Sequence, residues 1–262
     1  MEHISISILN IPGPFGDGLR QAEARKAAYI AEHGQDAWEK RLADMKHQEQ
    51  EEHERKTEEQ RSRLRLEKSG FYDKETDECV IDKYRFDNFN RIEGFQHDMY
   101  DMCQRFIKQG GWLYMSGQNG AGKTHLGTAV CGHFLKAGRS TRYVIFKTLM
   151  VELKANVNDD EEYARLLNEY GRADVLYIDD FMKPVRDPET QRAKQPSAAD
   201  IDHSFTLLNM RYVRNGTTII TSEKSLNEIM GLDEALGSRI KQRCGEFVMN
   251  IARKEGRNWR LR

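Results

Sequence analysis

The stretch Gly117-Gln118-Asn119-Gly120-Ala121-Gly122-Lys123-Thr124 decides the fold of this chain. It has the spacing G-x-x-x-x-G-K-[ST], follows the apolar stretch Trp112 to Met115, and opens a helix-like segment. A loop with little side-chain bulk can curl its backbone N–H groups around a phosphate, and the following helix N-terminus adds a favourable dipole. Lys123 then supplies positive charge to the β- and γ-phosphates, and Thr124 a hydroxyl ligand for Mg²⁺. The sequence therefore predicts a nucleoside triphosphate site at residues 117–124, the alternative being a turn that the glycines merely shape.

A pair of carboxylates follows further along the chain. Asp179 and Asp180 end the apolar, β-rich run Val175 to Phe181. Carboxylates at the C-terminal end of a buried parallel strand lie where ligands bind in open α/β sheets. We expect Asp179 in the Mg²⁺ shell and Asp180 to polarise the attacking water, because phosphoryl transfer needs mainly positioning and charge neutralisation. The alternative is a helix cap or turn, where Asp is also common.

Composition limits the classes of protein to consider. The chain has 262 residues, 38% of them hydrophobic, which supports one sizeable core in one or two domains. Lys plus Arg (41) balance Asp plus Glu (42), so any nucleic-acid contact must come from a local patch.

The sequence also favours a cytoplasmic protein without zinc. No apolar run approaches a membrane span, and the start lacks the basic region and apolar core of a signal peptide. The four cysteines lie far apart with no C-x-x-C pair, which argues against a disulfide framework and a zinc ribbon.

The first 82 residues read as a charged, mostly helical region. A Pro- and Gly-containing start leads into a helical composition from Leu19. Its sparse apolar face, around Trp38, disappears beyond Met45, where i,i+4 pairs of Glu with Arg or Lys follow. We expect either a solvated spacer or a helix whose Trp38 face docks on a partner protein. A turn-rich stretch at residues 69–83 places the predicted boundary at 82/83.

Strand-like and helix-like segments alternate after this boundary, which predicts an α/β fold with a parallel sheet and helices on both faces. The predicted strands are Trp112 to Ser116, Arg142 to Phe146, Val175 to Asp179, Thr217 to Thr221 and Glu246 to Ile251. The predicted helices are Asp98 to Lys108, Lys123 to Lys136, Thr148 to Asn156, Ala198 to Val213, Leu226 to Met230 and Asp233 to Arg243.

Several ordered motifs between Arg85 and Arg262 resemble a known family. They are Phe86-Asp87-Asn88-Phe89, Gly120-Ala121-Gly122-Lys123-Thr124-His125-Leu126, Tyr177-Ile178-Asp179-Asp180-Phe181, Asn209-Met210-Arg211-Tyr212, Thr218-Ile219-Ile220-Thr221-Ser222-Glu223, Gly237-Ser238-Arg239-Ile240 and Asn258-Trp259-Arg260. Together they resemble AAA+ ATPases of the bacterial replicative helicase loader type, which are DnaC-like and share a clade with IstB-type transposition ATPases.

The resemblance implies roles for further residues in ATP binding and hydrolysis. Ser222 occupies the sensor-1 region, where many relatives carry Ser-Asn and this chain has Ser222-Glu223; His125 extends the phosphate-loop motif. Arg239 matches the arginine finger, which acts in trans and so requires self-assembly with ATP. Arg260 matches the sensor-2 arginine. Without the family, both arginines would be ordinary surface charges.

DNA contacts are also implied by the resemblance. Lys147 and Lys154 lie after the second strand, where this clade inserts its DNA-contacting element, and the basic loop Met182 to Ser197 lies close to the carboxylates. The alternative is that these are solvated lysines on a surface loop. Relatives often carry a cysteine-rich zinc module ahead of the ATPase core, but only Cys79 stands there in this chain, so we expect no zinc.

The resulting prediction is an ATP-dependent loader that binds single-stranded DNA and helps to place a hexameric replicative helicase. The N-terminal charged region would dock the helicase. An IstB-like helper of DNA transposition, which would bind duplex DNA and a transposase, is the closest alternative. A non-catalytic nucleotide-dependent scaffold is the alternative from another class.

Overall fold

A computed structural model describes residues 14–186 and 193–253 of the chain. Its contacts divide the chain into one unit that ends at Gln60 and another that begins at Arg61. Among the described residues, no helix is both long enough and apolar enough to cross a bilayer. The predicted domain boundary at 82/83 stays a prediction.

The helices, in chain order, are α1 (Pro14–His33), α2 (Gln35–Glu67), α3 (Val80–Lys83), α4 (Gly94–Gln109), α5 (Lys123–Lys136), α6 (Phe146–Ala155), α7 (Asp160–Arg172), α8 (Ala198–Arg214), α9 (Leu226–Leu232) and α10 (Glu234–Cys244). The strands are β1 (Tyr72–Asp73), β2 (Glu78–Cys79), β3 (Trp112–Gly117), β4 (Thr141–Ile145), β5 (Val175–Phe181), β6 (Val185–Arg186), β7 (Ala193–Lys194), β8 (Thr217–Ser222) and β9 (Val248–Ile251).

The N-terminal unit consists of α1 and most of α2, which meet at Gly34. Gly34 adopts a φ of +89°, which a side chain would strain, and it separates the two helices. Tyr29 and Trp38 contact edge to face across this break, with ring centroids 5.8 Å apart. No residue of α2 is buried, so this helix depends on charge pairs such as Lys56 Nζ to Glu52, at 2.7 Å.

A five-stranded parallel sheet forms the centre of the second unit. Its strand order is β4-β5-β8-β3-β9, and every neighbouring pair in it is parallel. Strand β8 therefore lies between β3, which leads into the phosphate loop, and β5, which carries the carboxylates. The parallel sheet predicted from the βα alternation is confirmed.

The two faces of the sheet bury separate apolar clusters. Because side chains alternate along a strand, Trp112 and Tyr114 of β3 join the cluster under α6 to α10, whereas Leu113 and Met115 join the one under α3, α4 and α5. All four side chains are fully buried. Helices on both faces, as predicted, hold the C-terminal strand ends at one edge of the sheet.

Helix α7 was not predicted, although its pattern is present in the sequence. Tyr163, Leu166, Leu167 and Tyr170 recur at helical spacing and pack against the core. Asp159 caps the helix by accepting a hydrogen bond from the Glu162 N–H at 3.0 Å. Acidic residues in its first turn are a further signal of a helix start.

The predicted turn-rich segment before residue 83 also holds structure. Strands β1 and β2 pair antiparallel, and Phe71 is buried against the sheet, with its ring stacked on Tyr143 at 4.6 Å. The Tyr143 N–H donates to the Ser69 carbonyl at 2.7 Å, so this segment lies along strand β4. Phe71 and Ile81 of this segment thus belong to the second unit's core.

Candidate nucleotide-binding site

The phosphate loop runs from the end of β3 to the start of α5. Gly117, Gly120 and Gly122 all have positive φ, at +128°, +77° and +96°, which side chains rarely adopt. Gly122 directly precedes α5, and no side chain caps the helix at this position. The first N–H groups of α5 are therefore available to an anion, as the sequence pattern requires.

An aromatic side chain supports the loop from below. A Cβ at Gly122 would lie 2.7 Å from Cε2 of Phe89, so the ring packs directly against the loop backbone. Phe89 is buried and its ring also contacts His125 edge to face, with centroids 5.1 Å apart. The motif around Phe89 thus has a packing role that its spacing alone does not reveal.

The Lys123 ammonium group turns back into the loop. Its Nζ donates to the carbonyls of Gly117 and Gln118 at 2.8 and 2.9 Å, and the residue is buried. Burial lowers the pKa of Lys123, while the carboxylates of Glu223, Asp179 and Asp180 oppose that shift. The lysine is thereby held at the position where phosphate oxygens would enter.

Asp179 lies near the end of β5, where two threonine hydroxyl groups approach its carboxylate. Its Oδ1 accepts a hydrogen bond from Thr221 Oγ1 of β8, and Thr124 Oγ1 lies 3.4 Å away. The Asp180 N–H donates to the same oxygen at 2.9 Å. Three elements that are distant in sequence therefore meet at one carboxylate, which is itself buried.

Asp180 belongs to a charged cluster with two further residues. Lys183 Nζ lies 3.0 Å from Asp180 Oδ2 and 2.9 Å from Glu223 Oε1. Burial raises the pKa of Glu223, but the bonds from Lys183 and Asn119 outweigh it and hold the pKa below its usual range. Glu223 is thus an ion-paired carboxylate whose charge Lys183 offsets.

A cavity of about 600 Å³ joins these groups. Residues 119–125 of the loop line one side, and Asp179, Asp180 and Lys183 line another. The rest of its wall comes from Val80, Tyr84, Tyr143 and Ile145, which the sequence did not identify as site residues. The structure therefore brings together the predicted loop, Lys123, Thr124, His125 and both aspartates.

The donor set at this cavity fits Mg²⁺. The hydroxyl of Thr124 and the carboxylate of Asp179 present oxygen atoms to one space, and hard oxygen donors are the ligands that Mg²⁺ takes. These two residues would hold the ion together with the phosphates of a nucleotide.

Ser222 is buried at the end of β8, does not line the cavity, and turns its hydroxyl into the protein. Its Oγ donates to the Phe181 carbonyl at 2.7 Å and accepts from the Lys224 N–H at 3.0 Å. Its neighbour Thr221, to which the sequence analysis assigned no role, contacts Asp179 instead. Alternation along β8 was the signal that could have identified Thr221.

Arg239 lies on α10, away from the residues that line the cavity. Its guanidinium group lies over the Phe205 ring, 4.6 Å from the centroid, and Nη1 donates to the Ala235 carbonyl at 3.0 Å. The predicted sensor-2 residue, Arg260, lies outside the described residues.

The two predicted DNA-contacting lysines both lie on α6. Lys147 is exposed, whereas Lys154 forms an ion pair with Asp200 at 2.5 Å and donates to Ser197 Oγ at 3.2 Å. A groove with a volume of about 270 Å³ lies between α6 and the start of α8, and both lysines line it. We call it the basic groove, because Lys183 and Lys194 line it as well.

The chain matches a known family over most of its length. Residues 17–244 match the sequence model of the family described as IstB-like ATP-binding protein. The uncharacterized protein YqaM of Bacillus subtilis (strain 168) is 32% identical over 182 residues, which cover 68% of this chain and 50% of YqaM. The chain spans about half the length of the first curated relatives it matches.

Two solved structures share the fold. A structure of the DnaC helicase loader aligns with a TM-score of 0.53 at 21% identity, covering 66% of this chain and 98% of that chain. A structure of the replication initiator DnaA bound to AMPPCP and single-stranded DNA aligns with a TM-score of 0.52 at 20% identity, covering 66% and 50%. The core has the AAA+ P-loop NTPase fold, as predicted.

Proposed function

This chain belongs to the family of IstB-like ATP-binding proteins, and we propose that it is a Mg²⁺-dependent ATPase that loads a replicative helicase. In this proposal it binds ATP and single-stranded DNA and helps to place a hexameric helicase on DNA. One observation carries the ATPase part of the proposal. Thr124, Asp179 and Asp180 converge with the phosphate loop on a single cavity.

The loop residues would bind and orient the triphosphate. The N–H groups at the start of α5 would donate hydrogen bonds to the β-phosphate, and Lys123 would exchange its bonds to the Gly117 and Gln118 carbonyls for bonds to phosphate oxygens. A bound Mg²⁺ would neutralise charge on the β- and γ-phosphates, and Thr124 and Asp179 would hold it. Thr221 keeps the Asp179 carboxylate oriented by its hydrogen bond.

Asp180 is the residue proposed to polarise the attacking water. It directly follows Asp179, and its carboxylate borders the same cavity. Its φ of +54° is unusual for a residue other than glycine, and such backbone strain concentrates at functional sites. A carboxylate at this position would accept a proton from water as the water oxygen bonds to the γ-phosphorus and the bond from that phosphorus to the leaving oxygen of ADP breaks.

Completion of the site would require a second copy of the chain. Arg239 is proposed as an arginine finger that reaches the γ-phosphate bound by a neighbouring subunit. To do so it would leave the Phe205 ring and the Ala235 carbonyl, both of which are surface contacts that cost little to exchange. The proposed roles of Ser222 in sensing and of Arg260 in the C-terminal segment stay proposals of the same kind.

The basic groove is the proposed site for single-stranded DNA. Lys147 is the better placed of the two predicted lysines, because Lys154 would first have to leave Asp200. The exposed side chain of Val151 lies between the two lysines along α6 and offers an apolar surface to a base. The fold shared with DnaA, whose structure was solved with single-stranded DNA, supports a DNA ligand but not its position.

The helicase partner is proposed to dock on the N-terminal unit. Its helix α2 has no buried residue, yet it carries Trp38, Leu42 and Met45, and the last two are exposed. The fold shared with the DnaC helicase loader supports a loading role. The alternative, an IstB-like helper of transposition, has the family description in its favour.

Native mass spectrometry separates these functions. The full chain and a chain beginning at Arg61 would each be mixed with the host's replicative helicase, with and without ATP and a single-stranded oligonucleotide. A complex that forms only with the full chain supports the loader. Absence of any complex, together with self-assembly on duplex DNA and ATP, would favour the transposition helper.

A further inference from the structure

The ammonium group of Lys183 forms two ion pairs at the edge of the nucleotide cavity. It lies 3.0 Å from Asp180 and 2.9 Å from Glu223, and its own side chain is 40% exposed. Asp180 is the residue proposed to polarise water. One of its two carboxylate oxygens, Oδ2, is therefore occupied by an ammonium group in this structure.

The backbone is shaped to bring Lys183 over Asp180. Asp180 and Met182 both have a φ of +54°, and the Lys183 N–H donates to the Asp180 carbonyl at 3.2 Å, which closes a turn. Met182 is fully buried, so packing holds the turn in this strained form. The contact between the two charges is thus built into the end of β5.

An ion pair of this kind opposes the proposed role of Asp180. An ammonium group at hydrogen-bond distance takes an acceptor position on Oδ2 that the attacking water would otherwise use. Burial lowers the pKa of Lys183, but its bonds to Glu223 and Asp180 outweigh this and raise the pKa above its usual value. Lys183 is therefore charged at neutral pH.

Lys183 also lines the basic groove, where Lys147 and Lys194 contribute further positive charge. Its side chain is thus shared between the nucleotide cavity and the groove. Phosphate groups of a bound strand would attract it away from Asp180, and Glu223, which holds the ammonium from the other side, limits how far it moves without a strand.

We propose that Lys183 is a brake on ATP hydrolysis, which holds Asp180 in an ion pair until the phosphates of a nucleic-acid strand in the basic groove draw it away. The inference rests on the proposed function, because it needs hydrolysis at Asp180. Lys183 acts through Asp180 and is a positioning residue.

Steady-state hydrolysis by the full chain tests the brake. In Lys183→Met, the basal kcat should rise toward the rate that wild type reaches with a saturating single-stranded oligonucleotide, and the oligonucleotide should add little further. The pair is partly exposed, so we expect an increase of about two- to fivefold. The KM for ATP should stay unchanged, since the phosphate loop is intact.

Two variants serve as controls. Lys183→Arg keeps the positive charge and should keep the low basal rate. Lys224→Met removes a lysine that donates to Gln195 at 2.9 Å instead of to a carboxylate, and it should behave like wild type.

The outcomes separate the brake from the proposed function. If wild type hydrolyses ATP and Lys183→Met is slower or unchanged, the brake is wrong while the ATPase stands; a slower rate would make Lys183 a phosphate contact. If neither protein hydrolyses ATP with or without the oligonucleotide, hydrolysis itself fails, and the brake fails with it.

Discussion

Asp180 is the single residue on which the proposed chemistry depends most directly. Its carboxylate borders the cavity beside Asp179. Replacing one carboxylate oxygen by an NH₂ group should remove the proton acceptor while leaving the side-chain shape and the nucleotide contacts intact. We expect Asp180→Asn to bind ATP as wild type does and to lose about 100-fold or more in kcat. Binding of a fluorescent ATP analogue and phosphate release would be measured together.

Asp202→Asn is the matched control for that substitution. Asp202 is an exposed carboxylate on α8 that does not line the cavity, so its loss should leave kcat unchanged. Normal turnover by Asp180→Asn would show that another group positions the water.

Gly122 is the glycine at which loop geometry and packing coincide. An added Cβ would lie 2.7 Å from the Phe89 ring, at a φ of +96°. Gly138 has a similar φ of +80°, but nothing lies within 4 Å of its Cβ position. Comparison of the two alanine variants therefore separates the cost of backbone strain at positive φ from the cost of the steric clash with Phe89.

We expect Gly138→Ala to lower the free energy of unfolding by about 1 kcal/mol, from backbone strain alone. Gly122→Ala should cost more, and it should weaken ATP binding at least tenfold, because Phe89 and the loop must move apart. Urea unfolding and nucleotide titration give the two values. Equal behaviour of the two variants would mean that Phe89 does not hold the loop.

Among the secondary-structure elements, helix α8 is joined to its neighbours by the buried side chain of Arg211. Its guanidinium group donates to the carbonyls of Tyr170, in the last turn of α7, and Ala173, just after it, and to Thr217 and Thr218 of β8. Burial lowers the pKa of this arginine to about 9. These carbonyl groups and the Thr218 hydroxyl, at the end of α7 and the start of β8, thus accept hydrogen bonds from one planar guanidinium group.

Arg211→Lys should destabilise the fold by about 3 kcal/mol, because an ammonium group cannot serve all these acceptors in the plane of the fork. Arg214→Lys changes an exposed arginine on the same helix and should cost less than about 0.5 kcal/mol. Chemical unfolding of both variants provides the measurement. A similar stability for the two would show that the buried network contributes little.

At the level of the whole molecule, the segment before residue 83 determines where the chain can be cut. Phe71 is 1% exposed and Ile81 is 8% exposed, and both belong to the core cluster under α4 and α5. A chain beginning at Arg61 should therefore keep its ATP affinity. A chain beginning at Lys83 should lose about 3–6 kcal/mol, since each of those side chains contributes about 1.5–3 kcal/mol when buried.

Thermal and urea unfolding of the two truncated chains, with ATP titration of each, check this expectation. The result bears on the predicted boundary at 82/83 as well. If the chain beginning at Lys83 proved as stable as the one beginning at Arg61, the buried segment would be dispensable and that boundary would stand.

The sequence by itself determined the phosphate loop, the parallel sheet and the position of the carboxylates at a strand end. These features depend on the spacing of motif residues and on the alternation of strand and helix, and both are set by residues that are close in sequence. Helix α7 was equally local, since the spacing of Tyr163 to Tyr170 and the acidic first turn both indicate it, although it was not predicted.

Only the tertiary structure decided which distant side chains meet at the site. Thr221 reaches Asp179 because β8 lies beside β5, and Phe89 reaches Gly122 because α4 packs beside α5. The turn that places Lys183 on both Asp180 and Glu223 depends on the buried Met182 and on the same strand order. Such contacts are set by packing between elements, which no local pattern in the chain records.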